Sequence, residues 1–115
     1  MSKGFELYIE YAKKVAPILE NPRDLLGEVK MKVLKLMPRA KVYLFGSIAK
    51  GKYTLASDID VLIVSEELKS SEAERLKVEI KKMYPWLPLE LHVIDIKTFE
   101  NWYKKFIEED ELIEI

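Results

Sequence analysis

The apolar residues near the start of the chain recur at helical spacing and predict two helices. The first helix is expected to end or bend at Pro17. The second is expected to follow Asn21-Pro22, an N-cap and first-turn proline, and to stop before Pro38. Periodicity favours a first helix that covers a sheet, with an interaction surface as the alternative. The two apolar faces comprise Phe5, Tyr8, Ile9, Ala12, Val15 and Ala16, and then Leu25, Leu26, Val29, Val33, Leu36 and Met37.

Three short apolar runs predict strands, at residues 42–45, 58–64 and 89–94. Between the second and third runs, Ser71 and Glu74 have the spacing of a capping box. The apolar residues that follow predict a crossover helix. Leu89, Leu91 and Val93 should face one side of the third strand, and Glu90, His92 and Ile94 the other.

The end of the chain predicts a last helix with an aromatic stripe and then a solvated tail. Asp95 or Thr98 is expected to cap this helix. We expect its stripe to pack in the core rather than to stack on bases. The acidic and apolar residues at 108–115 predict a frayed end, with a strand that docks on a partner as the less favoured alternative. The stripe comprises Phe99, Trp102, Tyr103, Phe106 and Ile107.

Composition narrows the classes of protein that this chain can represent. Its 115 residues suit one domain, 1–115, and no apolar run approaches the length of about 20 residues that a membrane span needs. We therefore expect a cytoplasmic protein. Cysteine is absent, which excludes thiolate metal sites and disulfides. A net charge of −1, from 19 basic and 20 acidic residues, argues against strong nucleic-acid binding.

The candidate chemistry begins with two carboxylates at the start of the second strand. Asp58 and Asp60 are two residues apart, so in a strand both project from one face. Two like charges at this distance repel, and a cation held between them best explains the pair. Mg²⁺ or Mn²⁺ suits oxygen ligands and leaves positions for substrate phosphates. The pair therefore indicates phosphate chemistry.

A glycine-serine turn follows the first strand. Gly46 allows a sharp turn close to a ligand, and Ser47 can cap the short helix that begins at Ile48. We expect unpaired backbone N–H groups there, which would suit a phosphate.

The spacing of the two features resembles the signature of the DNA polymerase β-like nucleotidyltransferase superfamily. Gly46-Ser47, ten further residues and Asp58-Ile59-Asp60 carry the likeness. The pattern is most similar to the minimal nucleotidyltransferases, which are often paired with a HEPN-domain partner. The resemblance implies an α+β fold, a small mixed sheet of about three strands with helices on one face and the first two strands antiparallel. The face that bears the acids would be left partly open as a cleft.

The resemblance also implies the site and the reaction. Glu90 takes the place of the family's third carboxylate, and with Asp58 and Asp60 it would hold two Mg²⁺ or Mn²⁺ ions. Gly46, Ser47 and Lys50 would bind the outer phosphates of a nucleoside triphosphate. AMP from ATP would pass to a hydroxyl acceptor, such as a tyrosine of a HEPN-type toxin, which makes this chain its antitoxin. His92 is left out of the predicted site.

One alternative remains open at this point. Small members of the family often have arginine where this chain has Ile48 and Lys50, and aspartate where it has Glu90. Lysine lacks the fork geometry with which arginine holds phosphates. The chain could therefore be a catalytically weak or inactive module that neutralises its partner by contact. Acceptor, base preference and association with a second copy are left open.

Overall fold

The computed structural model describes residues 3–66, 68–106 and 111–115. Glu108, Glu109 and Asp110 of the predicted tail, Ile107, and the side chains of Trp102 and Phe106 lie outside the described parts. The elements in chain order are α1 (Lys3–Glu20), α2 (Arg23–Leu36), β1 (Lys41–Phe45), α3 (Ser47–Lys50), β2 (Ile59–Ser65), α4 (Ser70–Met83), β3 (Leu89–Asp95), α5 (Ile96–Thr98), a π-helical turn (Phe99–Tyr103), α6 (Lys104–Phe106) and β4 (Leu112–Glu114).

The strands form one mixed sheet in the order β3-β2-β1-β4. β1 pairs with β2 in antiparallel orientation, as the family resemblance implies, and β2 pairs with β3 in parallel orientation through the crossover helix α4. The α+β fold class is confirmed. The register places Phe45 of β1 opposite Asp60 of β2, and Asp60 beside Glu90 of β3.

The main core lies between the sheet and helices α1, α2 and α4. Strand residues that point to this side alternate with residues that point away, and Ile59, Val61 and Ile63 are fully buried there. Each of the three helices contributes an apolar stripe. The buried helix residues of this core are Val15, Leu19, Leu26, Val29, Val33, Leu76 and Ile80.

The second face of the sheet is partly covered by the C-terminal helical segment, and so is less open than expected. The Phe99 ring stacks on Tyr43 of β1, with 5.4 Å between ring centres. Leu62 and Val64 of β2 complete the buried part of this smaller cluster, and Tyr103 packs against it. The prediction that the aromatic stripe packs rather than stacks on bases is confirmed for Phe99 and Tyr103.

β4 is the main correction to the predicted fold. Residues 112–114 were expected in a frayed tail, but they pair with β1 in antiparallel orientation, with Ile113 opposite Leu44. Ile113 and Ile115 pack against the main core. Two apolar residues gain burial and the outer edge of β1 gains hydrogen bonds, which together hold the end of the chain in place.

The helix ends differ from the sequence predictions in three places. α1 runs past Pro17 to Glu20, so the alternative that the helix ends at this proline is wrong. α2 begins at Arg23, one residue later than expected, and no side chain caps it. α4 begins at Ser70 with no side-chain cap, so the Ser71 capping box does not form. In contrast, the Asp95 carboxylate accepts a hydrogen bond from the Thr98 N–H at 2.7 Å, which confirms that cap.

α1 is only half buried by the rest of the molecule. Val15 and Leu19 are fully or almost fully buried, whereas Phe5, Leu7 and Tyr8 are at least half exposed. The predicted face is therefore confirmed only for the C-terminal half of the helix. Among the helices of residues 3–66, 68–106 and 111–115, none combines the length and the apolar character that crossing a bilayer requires.

Candidate active site

The three predicted carboxylates belong to one end of the sheet. Asp60 is the second residue of β2, Glu90 is its neighbour in β3, and Asp58 precedes β2 by one residue. Ile59 and Val61 point into the main core, so alternation directs Asp60 to the opposite face, where Glu90 also points. The prediction that Asp60 and Glu90 share a face is thus confirmed by the register.

Position 46 requires glycine for two reasons, which are its backbone conformation and its close contact with Asp60. Its φ of 79° and ψ of −153° lie in a region that only glycine adopts readily. A Cβ atom added to Gly46 would lie 2.8 Å from Oδ2 of Asp60. The turn was expected to bring backbone close to a ligand, and in the structure it brings backbone close to the central carboxylate of the site.

Asp60 lies in an unusual electrostatic environment. Burial raises the pKa of its carboxyl above the ordinary value, His92 opposes this rise, and Glu90 and Asp58 add to it. Nε2 of His92 lies 3.7 Å from Oδ1 of Asp60. The His92 ring also meets Phe45 edge-on, with 5.1 Å between ring centres. His92 therefore contacts the predicted site, although sequence reasoning left it out.

The side chains have the chemistry for a divalent ion but do not form a complete metal site. Three carboxylates near one strand end provide the oxygen ligands that Mg²⁺ and Mn²⁺ prefer, and Gly46 leaves room for Asp60 among them. Within the described ranges, no group of three acidic or histidine side chains is arranged to hold an ion. The backbone thus places suitable donors together, and ion binding by Asp58, Asp60 and Glu90 stays a prediction.

The predicted phosphate-binding residues Gly46, Ser47 and Lys50 lie between β1 and the end of α3. Ser47 is the first residue of α3 but its side chain does not cap the helix. The sequence predicts an unpaired N–H at Gly46. In the structure this N–H donates to the backbone oxygen of Glu111, at 3.2 Å. Nζ of Lys50 lies 2.9 Å from Oε1 of Glu111. Sequence reasoning missed this residue, because Glu111 ends an acidic run that is typical of a solvated tail.

A groove opens on the β3 side of the site. Its volume is about 320 Å³, and both Asp58 and Glu90 line it. Lys77 and Lys81, one turn apart on α4, line the same groove. Asp58 and Glu90 are therefore reached from solvent on the side away from the Gly46 turn.

The chain is similar to known proteins in sequence and in fold. A sequence model of the nucleotidyltransferase domain matches residues 22–115. A crystal structure of a protein provisionally named a nucleotidyltransferase is 29% identical, with a TM-score of 0.65, and the match covers 78% of this chain and 96% of that one. Another, from Sulfolobus solfataricus and named in the same provisional way, is 21% identical with a TM-score of 0.59, over 90% and 84% of the two chains. The second shows the fold alone.

No curated protein sequence gives a significant match. The family match nevertheless spans every strand and every predicted site residue, from Gly46 to Glu90. The chain therefore belongs to the nucleotidyltransferase domain family, and its reaction class is nucleotidyl transfer.

Proposed function

We propose that the protein transfers a nucleoside monophosphate, with AMP from ATP as the first choice, to a hydroxyl group on a partner protein. The partner would be a HEPN-type toxin and this chain its antitoxin. The position of Asp60 is the observation that carries the proposal. It is packed against Gly46 on one side and placed beside Glu90 on the other, and both neighbours belong to the predicted site.

Separate groups of residues would bind the nucleotide donor and the acceptor. Gly46, Ser47 and Lys50, beyond β1, would bind the outer phosphates of the triphosphate. The groove lined by Asp58 and Glu90 lies on the other side of Asp60, so it offers the acceptor a separate approach. Two approaches from opposite sides suit an in-line displacement at the α-phosphorus.

The reaction forms one bond and breaks one bond. The acceptor oxygen bonds to the α-phosphorus and its proton passes to solvent. The bond from the α-phosphorus to the bridging oxygen breaks, and pyrophosphate leaves with the electron pair. Divalent ions held by Asp58, Asp60 and Glu90 would neutralise phosphate charge and lower the pKa of the acceptor hydroxyl.

Transfer of label from ATP to the proposed HEPN-type partner tests this proposal. The candidate partner is the product of the gene next to the one that encodes this chain. The protein is incubated with that product, Mg²⁺ and ATP labelled on the α-phosphate. We expect label on the product, and none when the label is on the γ-phosphate. The double variant Asp58→Ala, Asp60→Ala should lose labelling by at least about a hundredfold. Asp24→Ala, in the exposed first turn of α2, is the matched control.

The second candidate is a binding module without useful catalysis. It is favoured by the lack of a preformed three-ligand group among the described side chains. In that case the double variant would neutralise the toxin as well as the native protein does, and no label would be transferred. Labelling that survives the double variant would instead contradict the assignment of the two aspartates.

A further inference from the structure

Glu111 meets the predicted phosphate-binding residues in two ways. Its backbone oxygen accepts the Gly46 N–H at 3.2 Å, and its carboxylate lies 2.9 Å from Nζ of Lys50. The first contact continues the pairing of β4 with β1, since Leu112 is the partner of Phe45. The second contact is made by a side chain, and so it can break while the strand stays in place.

The ion pair between Lys50 and Glu111 differs from the pair that Lys41 of β1 forms with Glu114 of β4. The side chains of Lys50 and Glu111 are only 23% and 26% exposed. Those of Lys41 and Glu114 are 67% and 58% exposed, and their charged atoms are 3.9 Å apart. The attraction between the two charges is stronger in a closer and less hydrated pair, because water screens it less.

Space for a ligand exists next to this pair. Lys50 lines a hollow of about 460 Å³ together with the charged residues Glu20 and Arg23, with Tyr53, and with apolar side chains of the main core. An anion that approaches Lys50 from the hollow therefore need not open the core, and it would compete with the contacts that the lysine already makes.

We propose that Glu111 is an inhibitory residue of the nucleotide site, whose carboxylate takes the place of a triphosphate oxygen on Lys50 and must leave when the nucleotide binds. This inference rests on the proposed function of Lys50. A carboxylate and a phosphate oxygen are both anionic acceptors for an ammonium group, so they compete for it. Glu111 also repels the approaching triphosphate, because the two carry the same sign of charge. The residue that leads into β4 thereby sets the nucleotide affinity.

Removing the charge of Glu111 tests the inference. Calorimetric titration of Glu111→Gln with ATP and Mg²⁺ should show about fivefold tighter binding than the native protein, the size expected for one partly exposed ion pair. The backbone oxygen that holds Gly46 is unchanged in this variant. Glu114→Gln, the same substitution at the last residue of β4, should leave the affinity unchanged. Thermal melts of each variant confirm that the fold is retained.

A double-mutant cycle shows whether Glu111 acts through Lys50. In a Lys50→Gln background, Glu111→Gln should improve binding clearly less than it does in the native background. Equal or weaker binding by Glu111→Gln, with the fold retained, would overturn the inference and leave the proposed function standing. An equal gain in both backgrounds would also overturn it. Failure of the native protein and all variants to bind ATP would overturn the proposed function and this inference together.

Discussion

At the scale of single residues, Gly46 combines two constraints that a substitution would expose. Its backbone conformation costs other residues roughly 1–3 kcal/mol, and a Cβ would collide with Oδ2 of Asp60. We expect Gly46→Ala to lower the free energy of unfolding by at least about 2 kcal/mol and to displace Asp60. Urea unfolding measures the loss.

The collision can be separated from the backbone strain. Once Asp60 is replaced by alanine, the nearest atom of that residue lies 3.7 Å from the added Cβ, an ordinary contact. Gly46→Ala should therefore cost less in an Asp60→Ala background. Equal costs in the two backgrounds would show that Asp60 exerts no steric demand on Gly46. Gly51→Ala, where a Cβ meets nothing within 4 Å, should cost only about 1 kcal/mol.

Tyr84 gives a prediction about pH. Its hydroxyl donates to the carboxylate of Glu28 on α2, and burial, followed by this hydrogen bond, raises its pKa to about 12. A raised pKa means that the fold favours the protonated phenol. Its contribution to stability is complete below the ordinary pKa of about 10 and is lost as pH rises toward 12.

Replacing Tyr84 by phenylalanine tests this dependence. Tyr84→Phe should cost about 0.5–1 kcal/mol of unfolding free energy at pH 8, and the difference from the native protein should shrink between pH 10 and pH 12. Denaturant unfolding at each pH gives both values. Tyr8→Phe, on the exposed half of α1, is the control. A difference that stays constant up to pH 12 would contradict the assignment to this hydrogen bond.

At the scale of elements, β4 anchors residues 112–115 to the sheet and to the main core. Ile113 pairs with Leu44 and is partly buried against the main core, and Nζ of Lys30 donates to the backbone oxygen of Ile115 at 2.6 Å. We expect Ile113→Ala to cost about 1–2 kcal/mol, less than a fully buried isoleucine would. Unfolding in urea measures this cost.

Glu114 is the matched control for β4. It neighbours Ile113 but is exposed, and its ion pair with Lys41 is long. Glu114→Ala should therefore change stability by no more than about 0.5 kcal/mol. Equal losses for the two variants would mean that β4 contributes backbone pairing but no apolar packing. Glu111 immediately precedes this strand, so the stability of β4 also bears on the nucleotide site.

At the scale of the whole molecule, α1 lies outside the family match but supports the core. The match covers residues 22–115, whereas α1 is Lys3–Glu20. Leu19 is 2% exposed and Leu7 is 65% exposed. One helix therefore contains a buried leucine and an exposed leucine that can be compared directly. We expect Leu19→Ala to cost about 2–4 kcal/mol and Leu7→Ala to change stability by less than about 0.5 kcal/mol.

Thermal or urea unfolding compares the two leucine variants directly. A small loss for Leu19→Ala would show that the family core is stable without α1. A large loss for Leu7→Ala would show that the N-terminal half of the helix is buried in solution, although it is exposed in the structure. Closer to the C-terminal end of the same helix, Nζ of Lys14 lies 5.7 Å from the centre of the Trp86 ring.

Much of the fold and of the site could be predicted because the signals are local. Alternation along β2 sends Ile59, Val61 and Ile63 to the core and so directs Asp60 to the other face, whatever the rest of the chain does. The helical stripes, the cap at Asp95 and the need for glycine at position 46 have equally local causes. The spacing from Gly46 to Asp60 then carried the resemblance to nucleotidyltransferases, and the family match confirmed it at the level of the nucleotidyltransferase domain.

The remaining features depend on contacts between distant parts of the chain. Whether Leu112–Glu114 frays or forms a strand depends on the free edge of β1, about 70 residues earlier, because unpaired strand edges attract any chain that can reach them. That pairing brings Glu111 onto Lys50 and Gly46. The place of His92 beside Asp60 follows from the parallel register of β2 and β3. The sequence by itself therefore determined the first three strands, the helices that cover them and the carboxylates, because their signals are local. The tertiary structure alone decided that β4 forms and which side chains occupy the site with the carboxylates, because both depend on contacts between distant residues.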